Sequence, residues 1–282
     1  MEPLTFFLIL FGASMVAGAL GALLGLGGGV IIVPILTLMA GLNIHYAIGA
    51  SIVSVIATSS GAAATYVRDK ITNLRLGMFL EIATTTGAVT GALLAGLLPG
   101  RILSVVFGLM LVHAAWSMYR SGHEDVPVGV VGSPLATRLR LHGAYFDPAL
   151  GRRVDYQVTG VPQGFSVMWL AGLISGLLGI GSGVFKVIAM DIMMRAPIKV
   201  STTTSNFMIG VTAAASAGIY FIRGDIHPFV AAPVALGILT GTIIGTHLLL
   251  RLRGAAVRGV FLVVLIVIAI QMILRGIGGS VR

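Results

Sequence analysis

The chain has 282 residues, of which 57% are hydrophobic and only 10% are charged, and its formal net charge is +9. A soluble domain normally carries about 25% charged residues, so this composition excludes an ordinary soluble protein and predicts a multi-spanning membrane protein. The chain has no cysteine, which excludes disulfides, thiolate metal sites and cysteine nucleophiles. Lys and Arg report the orientation of a membrane protein, so the positive charge does not lead us to predict a nucleic acid partner.

Apolar stretches long enough to cross a bilayer, about 20 residues, recur along the chain. We assign spans to 4–24, 45–67, 76–97, 102–119, 201–222, 229–250 and 259–274 with its flanks. No basic region precedes the first of these stretches, so we expect no removable signal peptide. The predicted fold class is an all-α polytopic membrane protein.

Three consecutive glycines, Gly27, Gly28 and Gly29, interrupt the apolar segment GLGGGVIIVP. Glycine is the poorest helix former after proline, so we expect a helix to break here. Irregular backbone at membrane depth is tolerated where protein or a water-filled cavity covers it, and a helix N-terminus attracts anions. The break therefore predicts one side of an anion site, with close helix packing as the alternative role of these glycines.

Two ionisable residues lie inside predicted spans of the first half, Glu81 in 76–97 and His113 in 102–119. An intramembrane ionisable group suggests function, and both are candidates for carrying a proton. The alternatives are a solvated position for Glu81 at its span end and a packing role for His113. No group of His, Asp and Glu has metal-ligand spacing such as H-E-x-x-H, so we predict neither a metal nor another cofactor.

The segment 121–164 is polar and separates the two sets of spans. Within it, RLRLHGAYF and RRVDYQV flank DPALG like two short strands around a turn. We expect a small cytoplasmic connector with a β-hairpin, joining a first transmembrane repeat at 1–120 to a second at 165–282.

The second half repeats the first at an offset of 154 residues. SGLLGIGSGVFKVI at 175–188 matches 21–34 at seven of fourteen positions, and Gly181, Ser182 and Gly183 fall on the glycines of the first break. Each half is therefore predicted to hold a glycine-broken segment followed by three spans. Two such breaks would frame one central anion site, to which Ser182 adds a hydroxyl.

Lys186 lies three residues after Gly183 and is surrounded by apolar residues. A charge in such a segment is a functional hypothesis, and we predict that Lys186 binds the anion. The alternative is a lysine that snorkels to the membrane interface. Its counterpart in the first repeat is Ile32, so any cationic site would be asymmetric.

Hydroxyl side chains cluster in the spans that follow the two breaks. Ser51, Ser54 and Thr58 share one helix face, and the matching span opens with STTTSN, which contains Ser205 and Asn206. We predict that Ser51, Ser205 and Asn206 help to bind an oxyanion. The alternative is that such hydroxyls bond back to their own helix.

Basic residues distinguish a parallel from an inverted repeat. In each of three pairs of equivalent loops, one loop is richer in Lys and Arg than its partner. The richer loops are 191–200 against 42–44, 68–75 against 223–228, and 251–258 against 98–101, so the richer loop lies alternately in the second, first and second half. Equivalent loops then lie on opposite sides of the membrane. We therefore predict an inverted repeat with a cytoplasmic connector and both termini outside.

Taken together, GLGGGVIIVP, GIGSGVFKVI, LHGAYFDPALGRRVDYQV and IYFIRGDIHPFVAAPVALGILTGTIIGT resemble the sulfite exporter TauE/SafE family over roughly 8–275. The resemblance implies a multi-pass protein of the bacterial cytoplasmic membrane that moves sulfite, sulfonates or related organic anions. Ser182 and Ile188 stand where the second family motif commonly has Gly and Pro, whereas Gly28 and Pro34 of the first motif are intact.

The function we predict from these features is a secondary transporter of a small anion, acting as an exporter by alternating access around the two breaks. An anion channel and an intramembrane enzyme are the alternatives. The enzyme would need converging reactive groups, and none occurs at motif spacing.

Overall fold

The computed structural model describes residues 3–24, 28–68, 71–120, 129–147, 151–249 and 254–278, and these are mostly helical. A helix satisfies its own backbone hydrogen bonds, which is what an apolar solvent demands. The helices are α1 (Pro3–Leu24), α2 (Gly29–Pro34), α3 (Ile44–Arg68), α4 (Leu74–Leu97), α5 (Gly100–Arg120), α6 (Pro134–Arg138), α7 (Val161–Leu178), α8 (Gly183–Ile188), α9 (Ile198–Ile222), α10 (Pro228–Leu249) and α11 (Gly254–Ile277).

Four helical segments are long and apolar enough to cross a membrane: Leu74–Leu97, Gly100–Ser117, Val161–Leu178 and Ile198–Ile222. Shorter apolar stretches occur in α1, α3, α10 and α11. The prediction of a mostly helical membrane protein with several spans is confirmed.

Each half contains a short helix that follows a glycine-rich interruption. In the first half α1 ends at Leu24, and α2 begins at Gly29 and continues as a π-helical turn over Ile35–Met39. Gly27 lies outside the described residues. A helix over Gly29–Met39 would extend only about 16 Å, so it is too short to cross a hydrocarbon core of about 30 Å.

The interruption in the second half is described completely. Gly179, Gly181 and Ser182 adopt left-handed backbone conformations, with φ values of 67°, 73° and 45°. Helix α8 follows, and it too continues as a π-helical turn, over Ala189–Met193. Left-handed residues cannot continue a right-handed helix, which is why α7 ends at Leu178 and a new helix begins at Gly183.

The helices of the two halves pack against each other in matching pairs. Helix α1 packs on α10 and α4 on α7, while α3 packs on α9 and α5 on α11. Gly49 at the start of α3 contacts Asp225 beyond the end of α9, and Ser59 bonds to Asn206 near the start of α9. Helices α3 and α9 are therefore antiparallel.

Glycines allow the α4 and α7 backbones to approach closely. A Cβ atom added at Gly172 would lie 2.1 Å from the carbonyl oxygen of Thr84, and one at Gly176 would lie 2.0 Å from that of Ala88. This spacing of small residues is typical of close helix packing in membranes. It holds α4, which carries Glu81, against the second half.

The segment between the halves forms a hairpin of two antiparallel strands, β1 (Gly143–Asp147) and β2 (Arg152–Tyr156). Residues 121–128 and 148–150 of the predicted connector lie outside the described residues. Asn73, which caps α4, donates to the hydroxyl of Tyr156 at 2.8 Å, and Lys199 on α9 pairs with Asp147 at 2.7 Å. The hairpin therefore contacts both halves, at the starts of α4 and α9.

Candidate functional site

Lys186 lies on α8 and is completely buried. Helix α8 packs on α9, and the Lys186 ammonium donates to the hydroxyl of Thr212 on α9 at 2.6 Å. A snorkelling lysine would keep its ammonium in water. Lys186 is completely buried, so it does not snorkel to the membrane interface.

Glu81 brings a carboxylate to the same place from the first half. It lies on α4, is 8% exposed, and its Oε1 atom is 2.7 Å from Thr212 Oγ1. Thr85, one turn along α4, also donates to Oε1 at 3.2 Å. Within the described part of the chain, the other carboxylate oxygen of Glu81 is buried and has no hydrogen-bond partner.

We call Lys186, Thr212 and Glu81 the charge cluster. Burying an isolated charge is costly unless it is paired and hydrogen-bonded, and here the opposite charges are linked through the Thr212 hydroxyl. The cluster joins the two halves, because Glu81 belongs to the first and the other two residues to the second.

Ser182 lies one turn before Lys186 and its carbonyl oxygen accepts from the Lys186 amide at 3.2 Å. Its side chain is 1% exposed, and its hydroxyl finds no hydrogen-bond partner among the described residues. A left-handed conformation costs a residue with a Cβ atom roughly 1–2 kcal/mol. Gly28 occupies the equivalent position of the first repeat, so Ser182 keeps a hydroxyl where glycine is conformationally easier.

His113 lies beside the same short helix. Its ring stacks on Phe185 with a centroid distance of 4.8 Å and an interplanar angle of 5°. In the described structure its Nε2 atom is buried without a hydrogen-bond partner. Glu81 and His113 thus both lie near α8, but only Glu81 is linked to Lys186 by hydrogen bonds.

The two glycine breaks approach each other around Ser51. The Ser51 hydroxyl donates to the carbonyl oxygen of Gly179 at 2.7 Å. A Cβ atom on Gly29 would lie 2.7 Å from Ser51 Oγ and 3.3 Å from the Gly179 oxygen. The first and second breaks are therefore neighbours.

Apolar side chains surround the remaining predicted glycines. Cβ atoms added at Gly181 and Gly183 would lie 2.8 Å and 2.9 Å from side-chain atoms of Ile209, and one at Gly28 would lie 2.9 Å from Ile238. Close packing is thus visible at all three positions. Their part in anion binding stays a prediction.

The predicted hydroxyl cluster is divided in its bonding. Ser205 donates to the Gly183 carbonyl oxygen at 3.2 Å, whereas Ser54 and Thr58 bond back to their own helix. Asn206 accepts from Ser59 through its backbone oxygen at 2.5 Å. Ser51 and Ser205 thus hold the backbone of the breaks in place.

Sequence reasoning missed Thr212, which joins the two charges. Thr212 lies seven residues after Ser205, so both face the same side of α9. This spacing could have identified Thr212 as a candidate site residue from the sequence. Across the described ranges, no group of three or more His, Cys, Asp or Glu side chains could hold a metal ion.

A family model described as sulfite exporter TauE/SafE matches residues 10–272. This chain belongs to the sulfite exporter TauE/SafE family. This membership agrees with the glycine motifs and with the membrane spans. The predicted family is therefore confirmed.

Relatives named as transporters cover nearly the whole chain. The probable membrane transporter protein YunE of Bacillus subtilis (strain 168) is 26% identical over 96% of this chain and 98% of its own length. The probable membrane transporter protein YjnA of the same organism is 27% identical over 91% of this chain and 95% of its own.

A third relative, the probable membrane transporter protein MJ0441 of Methanocaldococcus jannaschii, is 25% identical over 78% of this chain and 76% of its own length. No solved structure matches the chain. The family and these names support a multi-pass membrane transporter of a small molecule, and they favour it over an intramembrane enzyme.

Proposed function

We propose that this TauE/SafE family member is a secondary transporter that exports a small anion, such as sulfite, a sulfonate or a related organic anion. The observation that carries the proposal is the complete burial of Lys186 just after the break between α7 and α8. A buried ammonium with spare donors is a strong attractant for an anion, because hydrogen bonds between charged groups are about twice as strong as neutral ones.

The polar groups around Lys186 support an anion as the ligand. An ammonium has three N–H donors, and the one hydrogen bond that Lys186 makes to a described residue uses the Thr212 hydroxyl. The buried Ser182 hydroxyl offers another donor. An oxyanion would satisfy both, with Gly28, Gly29, Gly181 and Gly183 allowing the backbone to approach it.

The antiparallel pairing of equivalent helices supports an inverted repeat. Helix α9 is the counterpart of α3 and α11 that of α5 in the sequence repeat, and each packs on its counterpart. Gly108 of α5 contacts Ile273 of α11, while Gly276 contacts Val105, so this pair also runs antiparallel. Inverted repeats of this kind suit alternating access, in which the halves rock about a central site.

Contacts near both ends of α4 suggest where such rocking would open the site. The Asn73 amide donates to Thr204 of α9 at 3.1 Å, and Arg223 at the end of α9 donates to the Ala92 oxygen at 2.7 Å. We propose that these two contacts break alternately, the first on the cytoplasmic side. Because the chain has no cysteine, single cysteines at Phe146 and His227 can test this orientation and should label from opposite sides.

Anion flux in proteoliposomes tests the transport function. The panel is sulfite, methanesulfonate, sulfoacetate and acetate, and saturable, temperature-steep flux of at least one is expected. Conductance jumps would instead indicate a channel, and product formation without flux an enzyme.

Lys186→Met tests the site, because it removes the ammonium and keeps an apolar chain of similar length. We expect anion affinity to fall about tenfold or more, the value of a hydrogen bond to a charged group. The matched control is Ile32→Met, at the equivalent buried position of the first repeat. Equal affinities in the two variants would refute the role of Lys186.

A further inference from the structure

The charge cluster holds its own internal anion. Lys186 Nζ is 2.6 Å from Thr212 Oγ1, which is 2.7 Å from Glu81 Oε1. We propose that Glu81 is the counter-ion of Lys186 in the empty transporter, and that a transported anion replaces it only when Glu81 takes up a proton. The inference rests on the proposed anion site at Lys186 and adds the coupling ion to it.

Thr212 can form a hydrogen bond with Glu81 whether Glu81 is ionised or protonated. Its hydroxyl carries one proton, and two acceptors lie within reach, Glu81 Oε1 at 2.7 Å and the Met208 carbonyl oxygen at 2.8 Å. When Glu81 is ionised, the hydroxyl donates to the carboxylate. When Glu81 is protonated, the hydroxyl donates to Met208 and accepts from both Glu81 and Lys186, so no heavy atom has to move.

Charge balance links the proton to the anion. With Lys186 and Glu81 both ionised the buried cluster is neutral, and an added anion would leave one uncompensated negative charge, which is costly in an apolar interior. A proton on Glu81 removes that charge and frees the ammonium for the anion. Because linkage is reciprocal, anion binding must also favour protonation of Glu81.

Few other titratable groups could take this role among the described residues. Helix α7, which packs on both α4 and α8, carries none. The other groups on the packed elements are Arg75 at the start of α4, Asp191 in the turn after α8, Lys199 and Tyr220 towards the ends of α9, and His113 against Phe185. Of these described groups, Glu81 is the one linked to Lys186 by hydrogen bonds, through the Thr212 hydroxyl.

The consequence is an electroneutral cycle. One monovalent anion and one proton load from the same side, cross together and leave together, and the empty cluster returns with Lys186 and Glu81 paired. The membrane potential then does not drive transport. A high cytoplasmic concentration of the anion drives export, and an inward proton gradient opposes it.

The test uses the full-length protein in proteoliposomes containing a trapped pH indicator, with the membrane potential clamped. Methanesulfonate is the probe because it stays a monoanion throughout, so any effect of pH belongs to the protein. We expect one proton to move with each methanesulfonate, and the apparent affinity to fall about tenfold per pH unit wherever Glu81 is mostly ionised.

Glu81→Gln imitates the protonated side chain. It should abolish the accompanying proton movement and the pH dependence, and it should make methanesulfonate flux respond to the membrane potential. Thr212→Val removes the bridging hydroxyl at nearly constant volume and should shift the pH midpoint, which keeps the inference testable if Glu81→Gln folds poorly. Asp191→Asn, the control carboxylate, should keep the one-to-one ratio.

The outcomes separate the two levels of the proposal. Methanesulfonate flux without proton movement in the wild type would overturn the coupling alone, as would loss of coupling in Asp191→Asn or His113→Gln but not in Glu81→Gln. An absence of saturable flux of sulfite, methanesulfonate, sulfoacetate and acetate alike in the wild type would overturn the transport proposal and the coupling with it.

Discussion

Gly176→Ala measures how tightly α4 and α7 are packed. The added Cβ atom would lie 2.0 Å from the carbonyl oxygen of Ala88 and 2.7 Å from its Cα. A relaxed contact between carbon and oxygen is about 3.3–3.6 Å, so the two helices must separate by roughly 1 Å. Overpacking of this kind lowers the free energy of unfolding by about 1–3 kcal/mol, whereas the higher helix propensity of alanine raises it by about 1 kcal/mol.

Gly218→Ala is the matched control, because Gly218 is an exposed glycine on α9 with no atom within 4 Å of the added Cβ. It gains the same propensity without a clash and should raise the melting temperature. One kcal/mol corresponds to about 2–4 °C for chains somewhat smaller than this one. We therefore expect Gly176→Ala to melt at least roughly 2 °C below Gly218→Ala.

Thermal unfolding in detergent, followed by the fluorescence of the two tryptophans, gives both melting temperatures directly. Equal shifts in the two variants would refute the close contact between α4 and α7. If the contact is as described, Gly176→Ala should also lower anion flux, because α4 carries Glu81 to the charge cluster.

Ser182→Gly should relieve left-handed strain and stabilise the protein by about 1 kcal/mol while weakening anion binding; unchanged affinity would show that the hydroxyl takes no part. Lys199→Met should lower the melting temperature, because it removes the ammonium that lies 2.7 Å from the buried Asp147 carboxylate, and adding Asp147→Asn should restore part of the melting temperature. Burial raises the pKa of Tyr156 to about 12 from 10.0, so the unfolded chain ionises first and stability should fall by about 2–3 kcal/mol between those pH values. Tyr156→Phe should remove that part of the alkaline melting curve, and an identical curve would contradict the burial of the phenol.

Local pattern in the sequence was sufficient for the class of protein and for its interruptions. Twenty apolar residues can fold in lipid only as a helix or a closed barrel, so composition alone predicts the spans. Left-handed backbone suits glycine, so GIGSG predicts the break that Gly179 and Gly181 make. The family could be identified from the same motifs, because their residues and spacing can be read directly from the sequence.

The bonding of polar side chains was not available from local pattern. Ser51, Ser54 and Thr58 share one helix face, yet Ser51 reaches across to Gly179 while the other two bond to their own backbone. The difference depends on which neighbour passes close to each hydroxyl. A helix face can be inferred from spacing, but the helix opposite that face cannot.

The charge cluster is the part that only the tertiary structure decided. Glu81 and Thr212 are 131 residues apart, and nothing in the local sequence of α4 specifies which part of the second half its carboxylate meets. That meeting depends on the rotation of α4 about its axis and on its depth against α7, both set by the fit of Gly172 and Gly176 against its backbone. The periodicity of the sequence shows which residues share a helix face. The packing of one helix on another determines which faces meet.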